Sequence, residues 1–302
     1  MPKHALTKST RCWNPLEVST KSGIKTLAPC GQCSHCRSRR MWELATKIDL
    51  ESMYHFENGD EDKVSMWTFT YENTPKTTSG RPTLNPKHLQ DFWKRLRRAG
   101  FNFRYFAVGE YGSKTGRPHY HAFIFGISWY DKAIVEKVRQ LWSHGIIDNG
   151  RGYKPRGGLY AAGYVLKKLR GKKLAEELLK DPEWIPEFFR ASKNPAIGAP
   201  FLDRLASDIL METPATQRAY FDSVEKYGCS FRWQQRTYRL DRHLSQYYAN
   251  KLGRPLLFKK HDDELELIKE NWLDDPDWAK LVEAQRKLKQ KKANALEQKK
   301  TL

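Results

Sequence analysis

His119 and His121 stand one residue apart in Arg117-Pro118-His119-Tyr120-His121-Ala122-Phe123-Ile124-Phe125-Gly126. The aromatic and β-branched content predicts a buried strand. Alternate side chains on a strand share a face, so both imidazoles point one way and Tyr120 the other. A single strand histidine would be ordinary core. An alternating pair leading into an apolar run is a ready pair of ligands for a divalent metal.

A carboxylate from the preceding segment can join them. Phe103–Tyr111 reads as a strand, and Gly112-Ser113-Lys114-Thr115-Gly116 as the turn that folds it onto the histidine strand. Glu110 then falls within a residue or two of His119, with the register left open. Two imidazoles and a carboxylate suit Mg²⁺ or Mn²⁺ acting as a Lewis acid on a phosphate oxygen.

A second constellation lies near the start. Cys30, Cys33 and Cys36 are spaced C-x2-C-x2-C, with Cys12 upstream and the fifth cysteine, Cys229, far away. The spacing suits thiolate coordination of zinc, with Cys12 as fourth ligand and His35 in reserve. An iron–sulfur cluster is the competing expectation. A closed four-ligand zinc site would be structural and would pin the first ~35 residues.

The third is Leu159-Tyr160-Ala161-Ala162-Gly163-Tyr164-Val165-Leu166-Lys167-Lys168-Leu169. At ~100° per residue, Ala161, Ala162, Val165, Leu166 and Leu169 form a stripe opposite Tyr160, Tyr164 and Lys167. Core tyrosines would sit with the leucines. Two phenols one helical turn apart, with a lysine beyond, read either as surface tyrosines or as nucleophiles with a charge-stabilising cation.

The remaining elements must position these groups. A helix is expected from Arg37 to about His55, with a partial apolar stripe of Trp42, Ala45, Ile48 and Met53; Arg37, Arg39 and Arg40 fall near the cysteines, either as phosphate contacts or as a solvated helix face. Met66–Tyr71 reads as a strand. His88–Arg98 reads as an amphipathic helix burying Leu89, Phe92, Trp93 and Leu96, stopped by Gly100. Another helix is expected at about 131–142, and a glycine-rich loop from Gly145 to Gly158. Residues 171–190 suggest broken helical pieces, 194–200 a loop, and Phe231–Tyr238 a basic, aromatic strand, either an ordinary edge strand or one suited to single-stranded DNA. A helix-prone segment runs from Asp263, acidic and then Lys-rich.

Lys and Arg total 54 against 35 Asp and Glu, a formal charge of +19. That surplus makes nucleic acid the leading partner class, ahead of an anionic membrane surface. There is no run of the ~18–20 apolar residues that a membrane span needs and no signal-peptide pattern, so no membrane role is expected. No G-x4-G-K-[ST] loop occurs, which argues against a fused helicase.

The order of an aromatic Thr-containing strand, a His-hydrophobic-His strand and Tyr-x3-Tyr-x2-Lys resembles the HUH endonucleases of rolling-circle replication. Pro29-Cys30-Gly31-Gln32-Cys33-x2-Cys36-Arg37, Gly109-Glu110-Tyr111-Gly112, Arg117-Pro118-His119-Tyr120-His121 and Tyr160-x3-Tyr164-x2-Lys167-Lys168 are similar to the replication initiators of microviruses, the gokushovirus branch above all. The likeness covers roughly residues 12–170.

The resemblance implies an α+β fold: a central antiparallel sheet of the HUH/Rep type (ferredoxin-like/RRM-like core) flanked by helices. The organisation expected is a Cys-rich zinc-binding segment with a basic helix (1–60), an HUH core (61–172), an accessory region (173–262) and a charged helical tail (263–302). It also implies a cycle in which His119, His121 and Glu110 hold the metal on the scissile phosphate. One tyrosine attacks to leave a 5′-phosphotyrosine and a free 3′-OH, and the other cuts the regenerated origin. Arg37, Arg40, Arg117 and Lys168 would contact DNA. The partners implied are an origin single strand, replicative-form DNA, and a host helicase and polymerase in the host bacterial cytoplasm. Related tyrosine pairs often carry a basic residue between them, where this chain has Gly163. Two alternatives stay open: a transposase or relaxase on the same core, and a zinc-stabilised DNA-binding module without catalysis.

Overall fold

The strand Val64–Thr70 carries alternating Trp67 and Phe69, and it is the second of five strands in the main sheet of the computed structural model. The structure describes residue 12 and residues 15–19, 25–112, 114–148, 172–227, 230–233 and 236–254. Among these, β1 (Leu16–Ser19) pairs with β2 (Lys25–Ala28), and α1 spans Ser34–Glu57. The main sheet takes β3 (Val64–Thr70), β4 (Arg104–Tyr111), β5 (Pro118–Phe125), β6 (Ile147–Asp148) and β7 (Phe188–Ala191). Its order is β6-β3-β5-β4-β7, antiparallel at every pairing. The expected α+β architecture with a central antiparallel sheet is therefore the one observed.

Contacts divide the chain into two units, one containing Met1–Arg39 and the other Arg40–Pro255. In the larger unit both faces of the sheet are covered, and this is why β5 reads as a continuous apolar run at Ala122–Phe125. One face carries Trp67, Phe69, Ala107, Tyr120, Ala122 and Ile124, packed with α2 (Pro86–Arg98) and α3 (Lys132–Gln140). The other carries Val64, Phe106, Val108, Phe123 and Phe125, packed with Leu44, Ala45 and Ile48 of α1.

Helix α2 follows its sequence pattern. Asn85 caps it by accepting from the Lys87 amide, Pro86 opens it, and Leu89, Phe92, Trp93 and Leu96 are all buried. Each of these side chains contributes roughly 1.5–3 kcal/mol by leaving water. Gly100, at φ +89°, takes the chain out in the left-handed region. Asp131 caps α3 through the amides of Ala133 and Ile134.

Four expectations are corrected. Trp42 is 50% exposed and lies off the apolar stripe of α1. It stands ~200° around the helix from Leu44, and the seam is built on Leu44, Ala45 and Ile48. Among the described residues of 171–190 there is one helix, α4 (Lys172–Lys180), and then β7 begins, which adds to the edge of β4. The prolines at 182 and 186 precede β7, where they interrupt no ladder hydrogen bond. Residues 199 and 200, expected in a loop, open α5 (Ala199–Met211). Phe231–Tyr238 is a hairpin of β8 (Ser230–Trp233) and β9 (Arg236–Arg239), not one strand. The helix α6 (Pro214–Tyr227) precedes β8 in the chain, and α7 (Arg242–Lys251) follows β9. The segment from Asp263 onward lies outside the described residues, as does the Tyr160–Lys168 segment.

Candidate metal centre

The β4–β5 hairpin closes through the turn expected from sequence: the Gly112 amide donates to the Arg117 carbonyl at 3.0 Å, and Gly116 adopts φ +64°. The register pairs Glu110 directly with His119. On β5, Tyr120 is fully buried on the α2 face, while His119 and His121 point to the α1 side together with Glu110. Thr68 and Thr70 of β3 face them, paired with His121 and His119 respectively.

The three side chains converge on one atom. Glu110 Oε1 lies 3.1 Å from His119 Nε2 and 3.4 Å from His121 Nε2, and the two rings stand perpendicular with centroids 5.0 Å apart. One ligand atom from each residue fits within 4.8 Å of the others. The outer nitrogens are also held: His119 Nδ1 donates to the Arg117 carbonyl at 3.1 Å, and His121 Nδ1 lies 3.1 Å from Thr68 Oγ1. Such partners orient metal-binding imidazoles and set their tautomer. With its Nδ1 proton committed to a carbonyl, His119 can use Nε2 in two ways. It carries a second proton toward Glu110, or it offers its lone pair to a cation.

The electrostatics match the first state when no cation is bound. Burial opposes charge on Glu110, but hydrogen bonds from His119 and His121 outweigh it and hold the carboxyl at about 2. Burial likewise opposes charge on His119, and the Glu110 carboxylate with the Arg117 carbonyl reverses this, so its pKa is raised. Glu110 Oε2 is buried and has no hydrogen-bond partner among the described residues. A buried carboxylate oxygen without a donor, beside two oriented imidazoles, fits a divalent cation.

The cysteines form a second group, in the unit containing Met1–Arg39. One sulfur from each of Cys12, Cys30, Cys33 and Cys36 lies within 4.8 Å of the rest, and all four are free thiols. Cys12 Sγ is 4.0 Å from Cys33 Sγ, close to the ~3.8 Å edge of a tetrahedron with 2.3 Å metal–sulfur bonds. The backbone amides of Cys30, Gln32, Cys33 and Cys36 each lie 3.2–3.4 Å from a cysteine sulfur, donating to Cys12, Cys30, Cys30 and Cys33. Gly31, at φ +68°, makes the turn that aims these amides. Burial, with Cys12 and Cys33 alongside, pushes the Cys36 thiol up, a state that a bound metal would invert.

The other expected site residues are placed as follows. Arg40 pairs with Glu43 at 3.5 Å and stands over the Phe189 ring at 5.6 Å. Arg37 is exposed on α1. Arg117 is exposed at the β5 entry, and its guanidinium donates to the Tyr71 carbonyl. Tyr160, Tyr164, Lys167 and Lys168 lie outside the described residues. Sequence reading missed Thr68 as a partner of His121. The strand containing it was visible, but its pairing with a histidine 53 positions away was not.

Residues 64–169 match the family model for replication-associated protein ORF2/G2P. The chain is similar to three curated replication-associated proteins of small phages. It is 32% identical over 164 residues to ORF4 of Chlamydia phage 1, covering 46% of this chain and 38% of the relative. It is 29% identical over 184 residues to ORF2 of Spiroplasma virus 4, covering 57% and 56%. It is 29% identical over 211 residues to VP4 of Bdellovibrio phage phiMH2K, covering 62% of each. The chain thus spans 38–62% of the length of these relatives. No solved structure matches the chain.

Proposed function

We propose that this chain initiates replication of a small phage genome by nicking and rejoining single-stranded DNA at an origin. The observation that carries the reading is the clustering of ligand atoms from His119, His121 and Glu110 within 4.8 Å of one another, with both imidazoles turned on Glu110 Oε1, inside the segment matched by the replication family model. The names of the relatives favour an initiator over a transposase or relaxase.

In this reading Glu110, His119 and His121 hold Mg²⁺ or Mn²⁺, and Thr68 and the Arg117 carbonyl keep the two rings aimed. A divalent ion there supplies Lewis acidity to a phosphate oxygen. Tyr160 or Tyr164 attacks the scissile phosphorus through its phenolic oxygen. The P–O3′ bond breaks, a 5′-phosphotyrosine forms, and the departing oxygen takes a proton to become the 3′-OH that a host polymerase extends. An unperturbed phenol near pKa 10 is a weak nucleophile, so Lys167 shares the developing charge. The second tyrosine repeats the transfer on the regenerated origin, and the 3′-OH reverses it to close a circle.

Arg37, Arg40, Arg117 and Lys168, within a chain of formal charge +19, supply phosphate contacts to origin and replicative-form DNA. Unwinding falls to a host helicase, and the place of action is the host bacterial cytoplasm. Among the described residues no helix is long and apolar enough to cross a membrane. The four cysteines hold a structural Zn²⁺ with no open position. Purified protein should then contain about one zinc per chain, whereas a brown protein with iron and sulfide would reassign the cluster.

The test is incubation with a labelled circular single strand and Mn²⁺. A covalent protein–DNA adduct is expected, lost in the His119→Ala/His121→Ala double variant and in the Tyr160→Phe/Tyr164→Phe double variant. Each single tyrosine variant should retain some cleavage without closing circles, and Lys167→Ala should slow cleavage at an unchanged site. Cleavage that survives loss of both histidines would end this reading.

A further inference from the structure

Beside the histidines lies a cavity of about 640 Å³, within the ~300–1,000 Å³ range of pockets that hold small ligands. His119 belongs to its wall, together with Thr70, Glu72, Arg117, Gly145 and Ile146. It therefore adjoins the position where the proposed function puts the scissile phosphate, and the inference drawn here rests on that reading.

The cavity is built, not incidental to a loose loop. The strip at 144–146 runs along β3, with the Ile146 carbonyl accepting from the Thr70 amide at 2.9 Å and from Thr70 Oγ1 at 3.1 Å. The Glu72 amide donates to the His144 carbonyl at 2.8 Å. A Cβ at Gly145 would come within 2.4 Å of the Glu72 nitrogen and 2.5 Å of the Thr70 oxygen, so the strip is pressed directly on the strand. These backbone groups are already paired, which leaves side chains to read a ligand. Ile146 is 74% exposed and offers an apolar surface, Arg117 offers a guanidinium, and Glu72 a carboxylate.

We propose that this cavity takes the nucleobase next to the scissile phosphate and that Glu72 selects bases bearing an exocyclic amine, against thymine. A carboxylate is an acceptor only. Adenine and cytosine present an amino donor where thymine presents O4 and a methyl group. Ile146 packs against the ring whatever its edge, and Arg117 offsets the phosphate charge.

The test is fluorescence anisotropy with labelled dA6, dC6 and dT6, in EDTA and again with Mn²⁺. Wild type should bind dA6 and dC6 about tenfold tighter than dT6, the discrimination of one good hydrogen-bonded pairing. Glu72→Gln, which can donate as well as accept, should bring the three within about twofold of one another. Ile146→Ala should weaken all three by roughly fivefold without changing their order. An unchanged ratio in Glu72→Gln, or equal binding of all three by wild type, would overturn the proposal. Base preference without any covalent adduct would leave the pocket standing and sink the nicking reading. An adduct without base preference would do the reverse.

Discussion

Arg104→Met tests how the sheet and α5 are tied to α1. Glu51 on α1 is completely buried and accepts from Arg104 Nε, from Arg104 Nη2 at 3.4 Å and from the Gly198 amide at 2.7 Å. Arg104 also donates to the Pro195 carbonyl at 2.9 Å and the Ala196 carbonyl at 2.7 Å, so one guanidinium joins β4, α1 and the turn before α5. Methionine keeps much of the packing volume and removes the charge. The stranded carboxylate limits its own penalty by taking a proton. From an ordinary value of 4.5, neutralisation at pH 7 costs about 2.5 pH units at 1.36 kcal/mol each, or ~3.4 kcal/mol. Losing the carbonyl bonds, one of them exposed, adds about 1 kcal/mol, for a total of about 4 kcal/mol, inside the 3–5 kcal/mol range for a broken buried pair. The sign with pH follows. Burial raises the Glu51 pKa in the folded state, so the folded variant binds a proton that the unfolded chain releases, and its deficit shrinks as pH falls. At pH 5 the same sum gives about 2 kcal/mol. Urea denaturation of both proteins at pH 7 and pH 5 measures this directly. A deficit under about 1 kcal/mol at pH 7, or one independent of pH, would show that Glu51 is not held as a buried charge by Arg104.

Thr68→Val removes the hydroxyl beside His121 Nδ1 and should weaken Mn²⁺ binding about 10–100-fold, read by calorimetry, with the fold unchanged by circular dichroism. Glu110→Gln should destabilise the metal-free protein most between about pH 4.5 and 6.5. Glu110 contributes fully above its unfolded value and His119 fully below its own, and the effect should fade as pH rises through the raised His119 pKa, a profile that denaturation across pH will trace. Gly145→Ala should lower the melting temperature by several degrees, because the added methyl meets the backbone of Thr70 and Glu72 and φ there is +150°; an unchanged melting temperature would contradict the close approach. Acid should also act through His55, His88 and His144, each lowered first by burial, and these three oppose and outnumber the raised His119, so wild-type stability is expected to fall as pH drops below about 6.5.

The parts of this protein decided by short-range pattern were legible in its sequence. Alternation alone put His119 and His121 on one face and Tyr120 on the other, and helical spacing alone identified Leu89, Phe92, Trp93 and Leu96 as buried. The C-x2-C-x2-C spacing with an upstream cysteine anticipated the four-sulfur cluster, because three of its members lie within one turn and the start of one helix. Pairings between distant segments were decided only by tertiary structure. Glu110 falls opposite His119 and not one residue away because the Gly112–Arg117 turn closes in one register, and a slip of one would turn the carboxylate to the other face. Thr68 meets His121 because β3 lies beside β5, and β7 joins β4 as an edge strand of four residues, too short for its own periodicity to announce it. Trp42 makes the same point from the other side. Its residue type promised burial, but the sheet covers only the seam of α1 centred on Leu44, Ala45 and Ile48, and Trp42, roughly 110° around the helix from the middle of that seam, stays half in water.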